Sequence, residues 1–135
     1  MKMTEGDFVL AWVIPKGDFE STCWIMVKHC ERGWELPGGK LNENEAVEIG
    51  ALREVWEETG LLGTAVAIES ELIEKGHVVL IKVDVEPDPY GWNSDDSRID
   101  EVGWCVELPA DLHWGEEEIT RILNHDWSKS RILSS

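Results

Sequence analysis

Residues 45–60, Glu45-Ala46-Val47-Glu48-Ile49-Gly50-Ala51-Leu52-Arg53-Glu54-Val55-Trp56-Glu57-Glu58-Thr59-Gly60, decide the fold. Val47, Ala51 and Val55 recur at spacings of four and lay one apolar stripe along a helix running from about Glu45 to Thr59. Asn44 stands where an N-cap belongs, Glu45 and Glu48 bring negative charge to the first turn, and Gly60 occupies the C-terminal cap position. At about 100° per residue, Glu54, Glu57 and Glu58 fall within an arc of roughly 100° on one face. Like charges at these spacings repel and weaken an isolated helix. A hard divalent cation such as Mg²⁺ or Mn²⁺ would relieve that repulsion, because such ions prefer oxygen donors. Taken alone, a solvated acidic helix face accounts for the cluster as well as a cation site does. Arg53 is positioned to pair with Glu45, two turns back.

Outward from the helix, the flanks read as strands. Residues 8–14 form a continuous apolar run ended by Pro15, which suits a buried strand. After a turn at Lys16-Gly17-Asp18, residues 22–28 read as a second strand and as its hairpin partner. Glu31-Arg32-Gly33 is a turn, Trp34-Glu35-Leu36 a short extended piece, and Pro37-Gly38-Gly39 its stop. Beyond the helix, strands are expected near 64–74 and 77–86, split by Lys75-Gly76. A polar loop with two aromatics follows at 87–98, then a strand at 99–107 and a second helix at 115–125. This order predicts a mixed α/β fold with helices packed on a sheet, within one domain spanning residues 1–135.

Composition bounds the function. The 135 residues carry 28 acidic against 12 basic side chains, a net charge of -16. That surplus speaks against a nucleic-acid polymer or an anionic membrane as the partner. It is regional: residues 39–61 hold six acids and two bases, 84–101 seven and one, and 107–118 five and none. No apolar run is long enough to span a bilayer. Three irregularly spaced cysteines, and an N-terminus without a secretory layout, predict a protein of the reducing cytoplasm. Cys23, His29 and Cys30 lack a fourth partner for a zinc site, and the four histidines form no nucleophilic triad.

The segment Gly39 to Leu61 resembles the Nudix box, G-x5-E-x7-R-E-U-x-E-E-x-G-U. Gly39, Glu45, Arg53, Glu54, Glu57, Glu58 and Gly60 fill its fixed positions, and Val55 and Leu61 its apolar ones. Nine positions in a 23-residue frame make the match specific, although the motif itself covers about a sixth of the chain. The resemblance implies a Nudix α/β/α sandwich with a mixed sheet and a loop-helix-loop catalytic motif. It also implies hydrolysis of a nucleoside diphosphate linked to another moiety X. By the same resemblance Glu54, Glu57 and Glu58 hold Mg²⁺ or Mn²⁺ with the backbone carbonyl of Gly38, while Glu45 and Arg53 brace the motif. The catalytic set is then Arg53, Glu57, Glu58 and Glu101, with Glu57 and Glu101 as alternative general bases. Glu101 enters because Ile99-Asp100-Glu101-Val102-Gly103-Trp104 resembles a downstream segment that supplies a further carboxylate; a charged strand end is the other reading.

The lead-in Trp34-Glu35-Leu36-Pro37-Gly38-Gly39-Lys40 resembles that of the MutT-like branch, which implies a (deoxy)nucleoside triphosphate cleaved to a monophosphate and pyrophosphate. ADP-ribose or a nucleotide sugar is the alternative substrate, and a non-catalytic nucleotide sensor the alternative class. The tyrosine that often marks dinucleoside polyphosphate hydrolases is missing at His77, Val78 and Val79, and the proline of many ADP-ribose hydrolases is Gly76. Eight tryptophans are a bias of the composition. Trp12, Trp24, Trp56 and Trp104 are expected in packing. Trp34 and Trp92, with Gly38 and Gly39, are the candidate substrate contacts, since tryptophan stacks well on bases. The partner is a small nucleotide, the protein a monomer or homodimer.

Overall fold

The apolar run at the start of the chain is a strand, β1 (Phe8–Pro15), and it lies buried on both faces. The computed structural model describes residues 7–17, 23–74, 76–113 and 115–133; Asp18, Thr22 and Lys75 of the expected turns and strand lie outside them. The elements after β1 are β2 (Trp24–His29), β3 (Gly33–Glu35), β4 (Gly38–Lys40), α1 (Val47–Thr59), β5 (Gly63–Glu69), β6 (Gly76–Val83), β7 (Ile99–Cys105), α2 (Glu116–Leu123) and β8 (Arg131–Ile132). A five-stranded sheet runs in the order β4-β1-β6-β5-β8, and a three-stranded sheet in the order β3-β2-β7. The larger sheet is mixed, because β1 and β6 pair parallel while its other pairs are antiparallel.

Side-chain alternation explains why β1, β2 and β6 are apolar at nearly every position. Val9, Ala11, Val13, Ile25, Val27, Val79 and Ile81 pack with Ala51 and Val55 of α1. Their neighbours Leu10, Trp12, Trp24, Met26, Val78 and Leu80 pack with Ile119 and Ile122 of α2. The strands are therefore sandwiched between the helices, the α/β/α arrangement expected. Trp12 of the larger sheet stacks on Trp24 of the smaller one, centroids 5.0 Å apart and planes 20° from parallel. Their packing role follows from that contact.

Three local expectations are corrected. β2 is not the hairpin partner of β1, since the two lie in different sheets; β2 pairs instead with β3 and β7. Gly38 and Gly39 do not stop the chain's extended course but form β4, antiparallel to β1 with Val9 opposite Gly39 and Leu10 opposite Gly38. Asn44 does not cap α1. Ala46 is the N-cap and makes no side-chain cap bond, while Asn44 turns through a left-handed conformation at φ 61°. The carboxylate of Glu45 instead closes the loop before the helix, accepting from the Asn42 N–H at 2.9 Å. Gly60 ends the helix as expected, with φ 77° and its N–H donated to the Trp56 carbonyl at 3.0 Å.

Candidate active site

The site begins where β4 passes under α1. A side chain on Gly38 would overlap the Val9 carbonyl oxygen, and a Cβ on Gly39 would sit 2.6 Å from Oε2 of Glu54. The missing side chains thus let backbone and carboxylates share one small volume. The Gly38 N–H donates to Oε1 of Glu58 at 3.1 Å, tying the strand to the last turn of the helix.

Arg53 organises the carboxylates. Its Nε and Nη2 donate to the two oxygens of Glu45 at 2.8 and 3.0 Å, a bidentate pair. Its Nη1 reaches Glu54 at 2.7 Å and Glu57 at 2.8 Å, and Nη2 also reaches the Lys40 carbonyl at 3.2 Å. This guanidinium holds Glu45 below the usual carboxylate range, and the surrounding carboxylates raise Arg53 in turn.

Glu54 and Glu58 are buried, 8% and 7% exposed. Burial pushes both carboxyls up, Glu58 to about 8, with the charges of Glu54, Glu35 and Asp96 adding to its rise and the Gly38 N–H opposing it. Glu57 differs, since its side chain is 49% exposed. It borders a cavity of about 540 Å³ with Trp56, Asn93, Asp96 and Arg98. Among the described residues, no three His, Cys, Asp or Glu side chains converge as an ion cage. The donor set nonetheless fits a hard divalent cation: two neighbouring buried carboxylates, of which Glu54 alone has a cationic partner in Arg53, against two glycines of β4 that leave them room.

The remaining candidates lie on two faces of the smaller sheet. Glu35 pairs in register with Val27, and Trp34 with Lys28, so Glu35 faces α1 and Trp34 faces away from it. Glu101 is opposite Lys28 and next to Val102, which packs toward α1; Glu101 therefore shares the far face with Lys28 and Trp34. It lines a small polar cavity of about 230 Å³ with Lys28, and Asn93 borders both this cavity and that of Glu57. Trp92 stands on the α1 side, bridged to Val102, with its Nε1–H donated to the Thr59 carbonyl at 2.8 Å.

Glu35, Asp96 and Arg98 are additions that the sequence reading passed over. Strict alternation along Trp34-Glu35 was the available signal, because one of the two had to face the helix. For Asp96 and Arg98 the only hint was the density of charge in the polar loop.

Comparison with known proteins follows the same lines. A family model described as NUDIX domain matches residues 8–121. A 37-residue segment is 54% identical to the putative 8-oxo-dGTP diphosphatase YtkD of Bacillus subtilis (strain 168), covering 27% of this chain and 23% of that protein. A 38-residue segment is 50% identical to a MutT-like protein of Streptomyces ambofaciens, covering 27% and 25%. The matched segments span about a quarter of each relative. Among solved structures, a UDP-X diphosphatase superimposes with a TM-score of 0.65 at 20% identity, over 91% of this chain and 63% of that one. A NUDIX hydrolase from Nitrosomonas europaea does so with a TM-score of 0.60 at 20% identity, over 94% and 92%. At these identities the likeness is one of fold. Among the described residues, no helix is long and apolar enough to cross a membrane.

Proposed function

Because the chain belongs to the NUDIX domain family, we propose that it is a Mg²⁺-dependent pyrophosphohydrolase acting on a nucleoside diphosphate linked to X. Within that class, the proposed substrate is a (deoxy)nucleoside triphosphate, and the products are a nucleoside monophosphate and pyrophosphate. The observation that carries the reading is the pair of buried carboxylates, Glu54 and Glu58, set against Gly38 and Gly39 of β4. The short matches to an 8-oxo-dGTP diphosphatase and a MutT-like protein support the choice of triphosphate.

Of the expected ligands, Glu54 and Glu58, with the Gly38 carbonyl, would hold the ion, while Glu57, half-exposed and bound to Arg53, is left for the proton. When bound, a divalent cation supplies charge neutralisation between carboxylate and phosphate oxygens and acidifies water. In the reaction, water adds to one phosphorus of the α–β bridge and gives up a proton to a carboxylate base, and the P–O bond on the other side of that phosphorus breaks, so that the nucleoside monophosphate and pyrophosphate separate. Glu57 suits the role of proton acceptor: it opens on the larger of the two cavities, and its bond to Arg53 orients it. Glu101, on the other face, is the less suited of the two bases. Trp34 and Trp92 stand on opposite faces of one sheet, so a single base can stack on one of them and not on both. The partner is a small nucleotide in the cytoplasm, bound by a monomer or homodimer.

A product-resolved panel tests the reading, with triphosphates, nucleotide sugars and dinucleoside polyphosphates each offered with Mg²⁺. Pyrophosphate plus monophosphate from a triphosphate is the expected result. Turnover confined to ADP-ribose or a nucleotide sugar, giving two phosphorylated halves, overturns the choice of substrate; no turnover of any member overturns the activity.

A further inference from the structure

Two arginines outside the motif, Arg32 and Arg98, lie close enough to Glu58 to feel its charge. Arg32, in the turn between β2 and β3, donates from Nη2 to Oε1 of Glu35 at 2.7 Å. Arg98, at the end of the polar loop, donates from Nη2 and Nε to the two oxygens of Asp96 at 2.8 and 3.1 Å. The turn and the loop are joined, since the Cys30 N–H donates to the Arg98 carbonyl at 2.8 Å. In each pair the carboxylate is the sheltered partner and the guanidinium the open one: side-chain exposure is 15% for Glu35 against 48% for Arg32, and 11% for Asp96 against 68% for Arg98.

The charge around these pairs is uneven. Glu35 and Asp96 both press on Glu58, and the two arginines lie near enough to repel one another. Arg98 borders the same cavity as Glu57. Arg53 is committed to Glu45, Glu54 and Glu57, and Lys28 to Asp111 at 3.6 Å on the opposite face. A guanidinium fork matches phosphate oxygens as well as it matches a carboxylate, and exposed ion pairs are weak enough to exchange.

We infer that Arg32 and Arg98 form an anion-binding pair that receives the polyphosphate chain of the substrate by releasing Glu35 and Asp96. The inference rests on the reading above that the substrate is a nucleoside polyphosphate. The site is thereby divided into a carboxylate floor on α1 and an arginine rim on the β2–β3 turn and the polar loop. The rim supplies ground-state affinity, and the floor belongs to the chemistry.

The test uses the full chain with inorganic triphosphate and Mg²⁺, comparing wild type with Arg32→Gln, Arg98→Gln, the double variant and Arg98→Lys. Calorimetric affinity for triphosphate should fall about tenfold for each single glutamine variant. Lysine at 98 should restore part of the affinity. KM for the nucleotide should rise by the same factor with kcat little changed. The rise in Tm produced by Mg²⁺ alone should persist in every variant, which separates a binding role from a structural one. Unchanged affinity in the double variant, no triphosphate binding by the wild type, or loss of the Mg²⁺ response in the glutamine variants overturns the inference. If arginine-dependent binding is found but no nucleotide is hydrolysed, the proposed activity fails and the anion-binding pair stands.

Discussion

At the scale of single residues, Arg53 carries more of the site than any glutamate it touches. One guanidinium satisfies Glu45, Glu54 and Glu57 and also accepts the constraint of the Lys40 carbonyl. A lysine keeps the charge but has no planar fork, so it cannot make these bonds together. Arg53→Lys should cost about 2 kcal/mol of stability in urea titration, from lost charge-assisted hydrogen bonds in a partly buried place. Turnover should fall with it, because Glu57 loses its orientation. The pairing of Arg53 with Glu45 was legible from spacing alone. Its bonds to Glu54 and Glu57 were not, because helical arcs give direction but not which oxygen a side chain chooses.

At the scale of elements, the decisive unit is β4 under α1. The two adjacent glycines there do different work. An alanine at Gly38 would drive its Cβ into the Val9 backbone, which cannot yield without breaking the β1–β4 ladder. An alanine at Gly39 meets only the end of the Glu54 side chain, which can swing. Gly38→Ala should therefore lower stability by about 3 kcal/mol or more, as expected when backbone is forced apart. Gly39→Ala should leave the fold within about 1 kcal/mol of wild type but weaken the Mg²⁺-induced rise in Tm by displacing Glu54. Denaturant titrations of both variants, with and without Mg²⁺, check the pair; equal losses would contradict the division. The sequence announced α1 through its apolar spacing and Gly60. It misread β4, because Pro37-Gly38-Gly39 signals a turn and only the distant partner β1 makes Gly38-Gly39-Lys40 into a strand. The mistaken β1–β2 hairpin has the same origin, since adjacency along the chain does not reveal which sheet a strand joins.

At the scale of the whole molecule, burial on both faces accounts for the apolar runs and for Trp12 and Trp24, whereas Trp56, expected in packing, stands 53% exposed on α1. Trp12 and Trp24 join the two sheets, while Trp92 fastens the polar loop to the end of α1. The three cysteines are free, and burial raises the Cys105 thiol to about 11, in keeping with a fold that does not depend on disulfides. The acidic surplus divides by place. Glu54, Glu57, Glu58, Glu35 and Asp96 gather near one end of α1, whereas Glu116, Glu117 and Glu118 open α2 on the other side of the strands, where negative charge favours a helix N-terminus. Faces of the sheet, rather than positions in the chain, decide which acids meet. That is why Glu35 and Asp96 escaped notice and why Glu101, so near in sequence to Asp96, faces another cavity.

The central claim is that the buried carboxylates of α1 act through a divalent ion on a phosphoric anhydride. Turnover of a nucleoside triphosphate by wild type and by Glu58→Gln, each with Mg²⁺ and after chelation, tests it most directly. The account predicts release of pyrophosphate by wild type with Mg²⁺ only, and a loss of about two or more orders of magnitude in Glu58→Gln with the fold intact by circular dichroism. Pyrophosphate release that survives chelation, or near-normal turnover in Glu58→Gln, would contradict it.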